Sequence, residues 1–86
     1  MLSTSPSTRL QATAVHGNAM LTRLTALLGQ HDIDHFSYTL ASDGLVHVVV
    51  GVRGDAWQVD RVTARLARIV GVLEVVPAAP VDLDRR

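Results

Sequence analysis

The stretch Ile33-Asp34-His35-Phe36-Ser37-Tyr38-Thr39-Leu40-Ala41-Ser42-Asp43-Gly44-Leu45-Val46-His47-Val48-Val49-Val50-Gly51-Val52 holds two strand-like runs joined by a turn. In the first run, Ile33–Ala41, Phe36, Tyr38 and Leu40 alternate with His35, Ser37 and Thr39, the period of a half-buried strand. The second run, Leu45–Val52, puts Val46, Val48, Val50 and Val52 on one face. Its other face carries Leu45, His47, Val49 and Gly51, so it is apolar on both sides and belongs in the middle of a sheet. Between them Ser42-Asp43-Gly44 is a strong hairpin signal, because Asp-Gly tolerates the left-handed backbone that a tight turn needs. A hairpin therefore occupies the centre of the chain.

On the N-terminal side, Arg9–Val15 alternates with the small apolar residues Leu10, Ala12 and Ala14 on one face. It reads as a first strand with a helix lying close above it. The alternation stops at His16-Gly17-Asn18-Ala19-Met20 and a helical pattern begins. Asn18 is the expected N-cap, its side-chain oxygen accepting an orphan N–H of the first turn, and Gly17 lets the chain turn. A helix N-terminus aimed from such a loop suits an anion or carboxylate. Met20, Leu21, Leu24, Leu27 and Leu28 mark the apolar stripe of this helix over Asn18–His31. Asp32 is the expected left-handed residue after it.

On the C-terminal side, Asp55 and Gln58 form a capping-box pair that opens a second helix. Val59, Val62, Leu66, Ile69 and Val70 are its expected buried stripe, and Gly71 closes it. Val72–Val76 is a short last strand, ended by Pro77 and Pro80. The order βαββαβ, joined by right-handed crossovers, favours a ferredoxin-like α+β sandwich. Its antiparallel sheet has the order 4-1-3-2, with both helices on one face. Residues 1–8 and 78–86 are expected as tails around a single domain, 9–77. The second strand is then an edge whose only charge is Asp34 at its start, and an edge so lightly guarded invites a second copy. A homodimer through Ile33–Ala41 is the expectation.

Composition removes several function classes. The 86 residues carry zero formal net charge, which argues against nucleic acid and acidic membranes. No cysteine is present, so disulfides, thiol catalysis and thiolate metal sites are excluded. No apolar run reaches the ~20 residues of a membrane span, and Met1–Thr8 lacks the features of a signal peptide. A cytoplasmic location is the expectation. An RNA-recognition module of this topology stacks bases on aromatics of its first and third strands, and here those strands have none. His31, Asp32, Asp34 and His35 are dense in potential metal ligands, yet the segment passes from helix end into strand. The helical spacing for a shared ion is lost, and no metal site is expected. Ser37 and His35 share a strand face without an orienting third group, so no catalytic residue is expected. On the second helix Trp57, Arg61, Ala64 and Arg68 fall together, opposite the apolar stripe. Tryptophan and arginine on one exposed face are enriched at binding hot spots.

Three segments carry a family resemblance. Leu21-Thr22-Arg23-Leu24 with Leu27-Leu28 is similar to the Leu-Ser-Arg-Val…Leu-Phe of ACT domains in the small subunits of acetolactate (acetohydroxyacid) synthase. Gln30-His31-Asp32-Ile33-Asp34-His35-Phe36-Ser37 stands where those subunits have Gln-Arg-Gly-Tyr-Asn-Ile-Glu-Ser. Leu66-Ala67-Arg68-Ile69-Val70-Gly71-Val72-Leu73-Glu74-Val75-Val76 resembles their Leu-Asn-Lys-Leu-Val-Asp-Val-Ile-Lys-Val-Val. The resemblance runs from Leu10 to Val76 and implies a non-catalytic subunit that dimerises edge to edge. Such a subunit activates a catalytic partner carrying thiamin diphosphate, magnesium and FAD, for branched-chain amino-acid biosynthesis. In the family an amino-acid effector sits between the first loop of one protomer and the start of strand two of the other.

The effector positions map to His16, Gly17, Asn18, Ala19 and Met20 in the loop and to Asp34 and His35 at the strand start. The family's loop reads roughly Asn-x-Pro/Ser-Gly, and its asparagine and glycine positions are His16 and Ala19 here. Its second asparagine is Asp34. A methyl and a negative charge thus replace groups that receive an amino acid. The length resembles the short, valine-insensitive isozyme II type. The expectation is an activating subunit without valine feedback; the alternative is a stand-alone ACT homodimer that binds another small ligand.

Overall fold

The computed structural model describes residues 7–17 and 19–78. The elements run β1 (Ser7–Val15), α1 (Met20–Leu28), β2 (Ile33–Leu40), β3 (Leu45–Arg53), α2 (Ala56–Ala67) and β4 (Val72–Pro77). They form one antiparallel sheet in the order β2-β3-β1-β4, the expected arrangement, with β2 and β4 at its edges. Ser7 and Thr8 pair with Arg53 and Val52, which carries β1 two residues into the segment expected as a tail. The rest of the expected tails, 1–6 and 79–86 with Pro80, lies outside the described residues, while Ala78 donates its N–H to Arg9 C=O at 2.8 Å.

The core lies between the sheet and the helices. Leu10, Ala12 and Ala14 of β1 and Val46, Val48, Val50 and Val52 of β3 meet Met20, Leu24 and Leu28 of α1 and Val62 and Leu66 of α2. A fully buried valine contributes about 1.5 kcal/mol or more, so the inward row of β3 is a large share of the stabilisation. The two alanines of β1 keep that strand low. Both helix stripes are narrower than their spacing predicts. Leu21 is 46% exposed, because it sits on the flank of a stripe centred on Met20, Leu24 and Leu28. Val70 is 80% exposed, because α2 has ended at Ala67 and helical periodicity no longer places it.

The end of α1 also differs from expectation. After Leu28 the bonds Gln30 N–H to Leu27 C=O and His31 N–H to Leu28 C=O tighten the chain into a three-residue turn. Gly29 is right-handed at the C-cap, and Asp32 is not left-handed, since Ala19 is the one non-glycine with positive φ among the described residues. The β2–β3 hairpin is closed as expected, with Gly44 at φ 84°. Ala41 C=O accepts from Gly44 N–H at 3.3 Å, and Leu45 N–H donates to Asp43 Oδ1 at 3.1 Å. The loop is thus the three-residue form, a type I turn followed by a left-handed glycine, with only Gly44 requiring special backbone.

Candidate functional site

The β1–α1 loop is fixed from both sides. His16 N–H donates to Gly44 C=O at 3.0 Å, and Val15 N–H donates to Gly71 C=O at 2.8 Å. Met20 N–H donates to Gly17 C=O at 3.2 Å. The His16 ring reaches β2, where Nδ1 lies 3.2 Å from the Tyr38 hydroxyl and the rings meet edge to face at 6.4 Å. Nothing in local spacing joins residues 16 and 38. The pairing follows only from the sheet order, which sets the loop beside the end of β2, so Tyr38 escapes a sequence reading.

Asn18 lies outside the described residues, and the residue that precedes α1 is Ala19, at φ 67° and ψ 8°. No side chain among the described residues caps this helix. The left-handed region costs an L-residue other than glycine roughly 1–2 kcal/mol, because Cβ crowds the following carbonyl. Ala19 therefore holds a backbone conformation suited to glycine while adding a methyl to the loop.

Asp34 and His35 sit at the other end of the sheet. Ile33 pairs with Val52, whose other neighbour is Thr8, whereas His16 follows the end of β1 where Val15 pairs with Leu45. At ~3.3 Å per strand residue the two groups are about 20 Å apart within one protomer. The chain does not bring the loop and the strand start together by itself. Between Ile33 and His35 the register shifts at a β-bulge, and the reason is in the pattern. Ile33 and Phe36 both pack on the core although three residues apart, which strict alternation forbids. One extra residue resolves the conflict.

Gly51 accommodates the bulge from across the ladder. A Cβ there would collide with Asp34 Oδ1 and come within 3.0 Å of His35 Cβ, so glycine is needed for this close approach. Asp34 Oδ2 lies 3.6 Å from Arg53 Nε, an ion pair inside the same chain. Neither Gly51 nor Arg53 was marked by any motif; their role follows from the bulge. Among the described residues no group of three or more His, Asp or Glu side chains is placed to hold a metal ion.

The ridge on α2 is as its spacing predicts. Trp57, Arg61, Ala64 and Arg68 are exposed, on the side away from Val62 and Leu66. The Arg61 guanidinium lies 5.3 Å from the Trp57 ring centre, a cation–π pair. Arg65, absent from the expected set, leans toward the end of α1. Its Nη1 donates to Gln30 Oε1 at 2.9 Å and approaches His31 Nε2 at 3.5 Å. Burial first, then the charges of Arg65 and Arg61, lower the His31 pKa from its ordinary value. Asp55 caps α2 as expected, accepting from Gln58 N–H at 3.1 Å.

No protein-family model matches the sequence, and no curated protein matches it either. Solved structures do match in fold. The ACT domain of GTP pyrophosphokinase from Chlorobium tepidum superposes with a TM-score of 0.76 at 15% identity, over 87% of this chain and 100% of that one. The acetolactate synthase small subunit from Thermotoga maritima gives 0.79 at 17% identity, over 87% of this chain and 48% of that one. This chain therefore spans about half the length of that subunit. An uncharacterised protein from Thermotoga maritima gives 0.69 at 15% identity, over 88% of this chain and 100% of that one. The fold is that of ACT domains. No helix among the described residues is long and apolar enough to cross a membrane.

Proposed function

We propose that this chain is a non-catalytic ACT regulatory domain that activates acetolactate synthase as its small subunit, without feedback by valine. Two copies pair along the β2 edge, and the catalytic partner carries thiamin diphosphate, magnesium and FAD. The three sequence segments shared in register with the small-subunit family support this reading, as does the fold likeness to one such subunit. Antiparallel pairing of two β2 strands would set the start of one beside the end of the other. That removes the separation of about 20 Å between His16 and Asp34 by bringing them from different protomers.

The observation that carries the absence of feedback is Ala19. Its φ of 67° is a conformation that glycine adopts without strain, and the methyl is added where a ligand needs close backbone approach. Asp34 adds a second obstacle, a carboxylate already paired with Arg53 and negative toward the carboxylate of an amino acid. Isothermal titration of the purified protein with valine, leucine and isoleucine should show no binding in the micromolar range. Micromolar binding of any of them would overturn the reading, as would failure to raise acetolactate formation by a co-purified catalytic subunit.

A stand-alone homodimer sensing a different small ligand is the second reading. The His16–Tyr38 pair favours it, since an imidazole and a phenol held together at the loop form a donor–acceptor couple. That couple suits a polar ligand other than an aliphatic amino acid. Co-purification separates the two readings, because a homodimer of this kind needs no thiamin-dependent partner.

A further inference from the structure

The α2 ridge is a surface with charge to offset and a large side chain left uncovered. Trp57 is 62% exposed, and its recorded partner is the Arg61 guanidinium rather than the core. Over the next two turns Arg65 and Arg68 extend the line of guanidinium groups, with Asp60 as the one acidic residue on α2 itself. None of Arg61, Arg65 and Arg68 makes an ion pair among the described residues, where the recorded pair is Arg53 with Asp34. Arg65 is held in place by Gln30 Oε1, a neutral acceptor that leaves its charge uncompensated. After burial, the charges of Arg65 and Arg61 also disfavour a proton on the adjacent His31. This positive strip stands out in a chain of zero formal net charge.

We propose that the Trp57–Arg61–Arg65–Arg68 ridge docks an acidic segment of a partner protein, its carboxylates meeting the guanidinium groups and an apolar side chain covering Trp57. Arginine presents a planar fork that matches a carboxylate with two parallel hydrogen bonds, and less hydration is lost than for an ammonium group. Arginine and tryptophan are the residues that most often carry the energy of an interface. The Gln30 bond holds the central cation before binding, which lowers the ordering cost of association. A nucleic acid fits less well, because the strip is one helix ridge about 17 Å long with a single stacking side chain. The inference rests on this face alone and not on the choice of enzyme partner.

Trp57 is the only tryptophan, so its emission reads the surface directly. The intact protein is titrated with a synthetic peptide of alternating glutamate and leucine, with a glutamine-for-glutamate control, and with a single-stranded oligonucleotide. The glutamate peptide should give a saturable change, bind at least about fivefold tighter than the control, and weaken at least about fivefold as salt rises from ~50 to ~300 mM. The double variant Arg61→Gln/Arg68→Gln keeps Trp57 as reporter and should lose about tenfold in affinity with an unchanged thermal melt. Absence of a saturable change, equal binding of the control, unchanged affinity of the double variant, or tighter binding of the oligonucleotide would each overturn the proposal. If the double variant does not fold, the peptide comparison and the salt dependence on the natural chain decide it.

Discussion

The two helices of this chain begin in opposite ways. At the start of α2, Asp55 is extended (φ −85°, ψ −178°) and its carboxylate accepts from Gln58 N–H at 3.1 Å. The helix is capped by local chemistry alone. At the start of α1, Ala19 is left-handed and no side chain among the described residues caps the first turn. The backbone there is held from outside, through His16 to Gly44 and Tyr38 and through Val15 to Gly71. One start is self-sufficient, and the other is tied to two neighbouring turns and an edge strand. Departures from local preference concentrate at sites shaped for something other than stability, and the loop before α1 is such a departure.

Substitutions at the two starts should act with opposite sign. Asp55→Ala removes the cap of α2 and is expected to cost about 1 kcal/mol, read from urea unfolding midpoints at unchanged slope. Ala19→Gly relieves the left-handed alanine but adds freedom to the unfolded chain, so the expected net gain is about 0.5 kcal/mol, or a rise in Tm of ~2–4 °C. A loss on Ala19→Gly would remove the contrast between the two starts.

The smallest effect belongs to the far end of α1. Because the His31 pKa is lowered in the folded state, the unfolded chain binds the proton more readily. The stability from neutral His31 is complete above its ordinary pKa of about 6.5 and is lost as pH falls below that value. His31→Gln should therefore narrow the difference between Tm at pH 7.5 and at pH 5.5, a drop of well under ~1 kcal/mol on this partly exposed group. Equal pH dependence in both proteins would show that burial and the arginines together do not disfavour the His31 proton in the folded state.

What the residues revealed in advance divides along the same line. The strands, the hairpin, the Asp55 cap and the exposed ridge at Trp57 follow from periods of two and 3.6 and from local turn chemistry, all within a few neighbours. The left-handed Ala19, the bulge at Asp34 and the His16–Tyr38 pair do not, because each is settled by a distant element. Glycine would have marked the loop conformation, and alanine conceals it. The bulge was present in the sequence as a conflict, with Ile33 and Phe36 both apolar at a spacing that a regular strand cannot bury on one side. The exposures of Leu21 and Val70 have simpler causes, since Leu21 lies on the flank of the α1 stripe and α2 ends before it reaches Val70.

The bulge has a consequence for symmetry. It interrupts the ladder at the start of β2 and leaves His35–Leu40 as the regular part of that free edge. Its middle lies between Ser37 and Tyr38. A two-fold axis relating two copies paired over this segment alone passes beside Tyr38, and each copy's His16 is bonded to that residue. The two loops would then lie on either side of a seam six residues long, each held to it by its own copy's His16–Tyr38 contact.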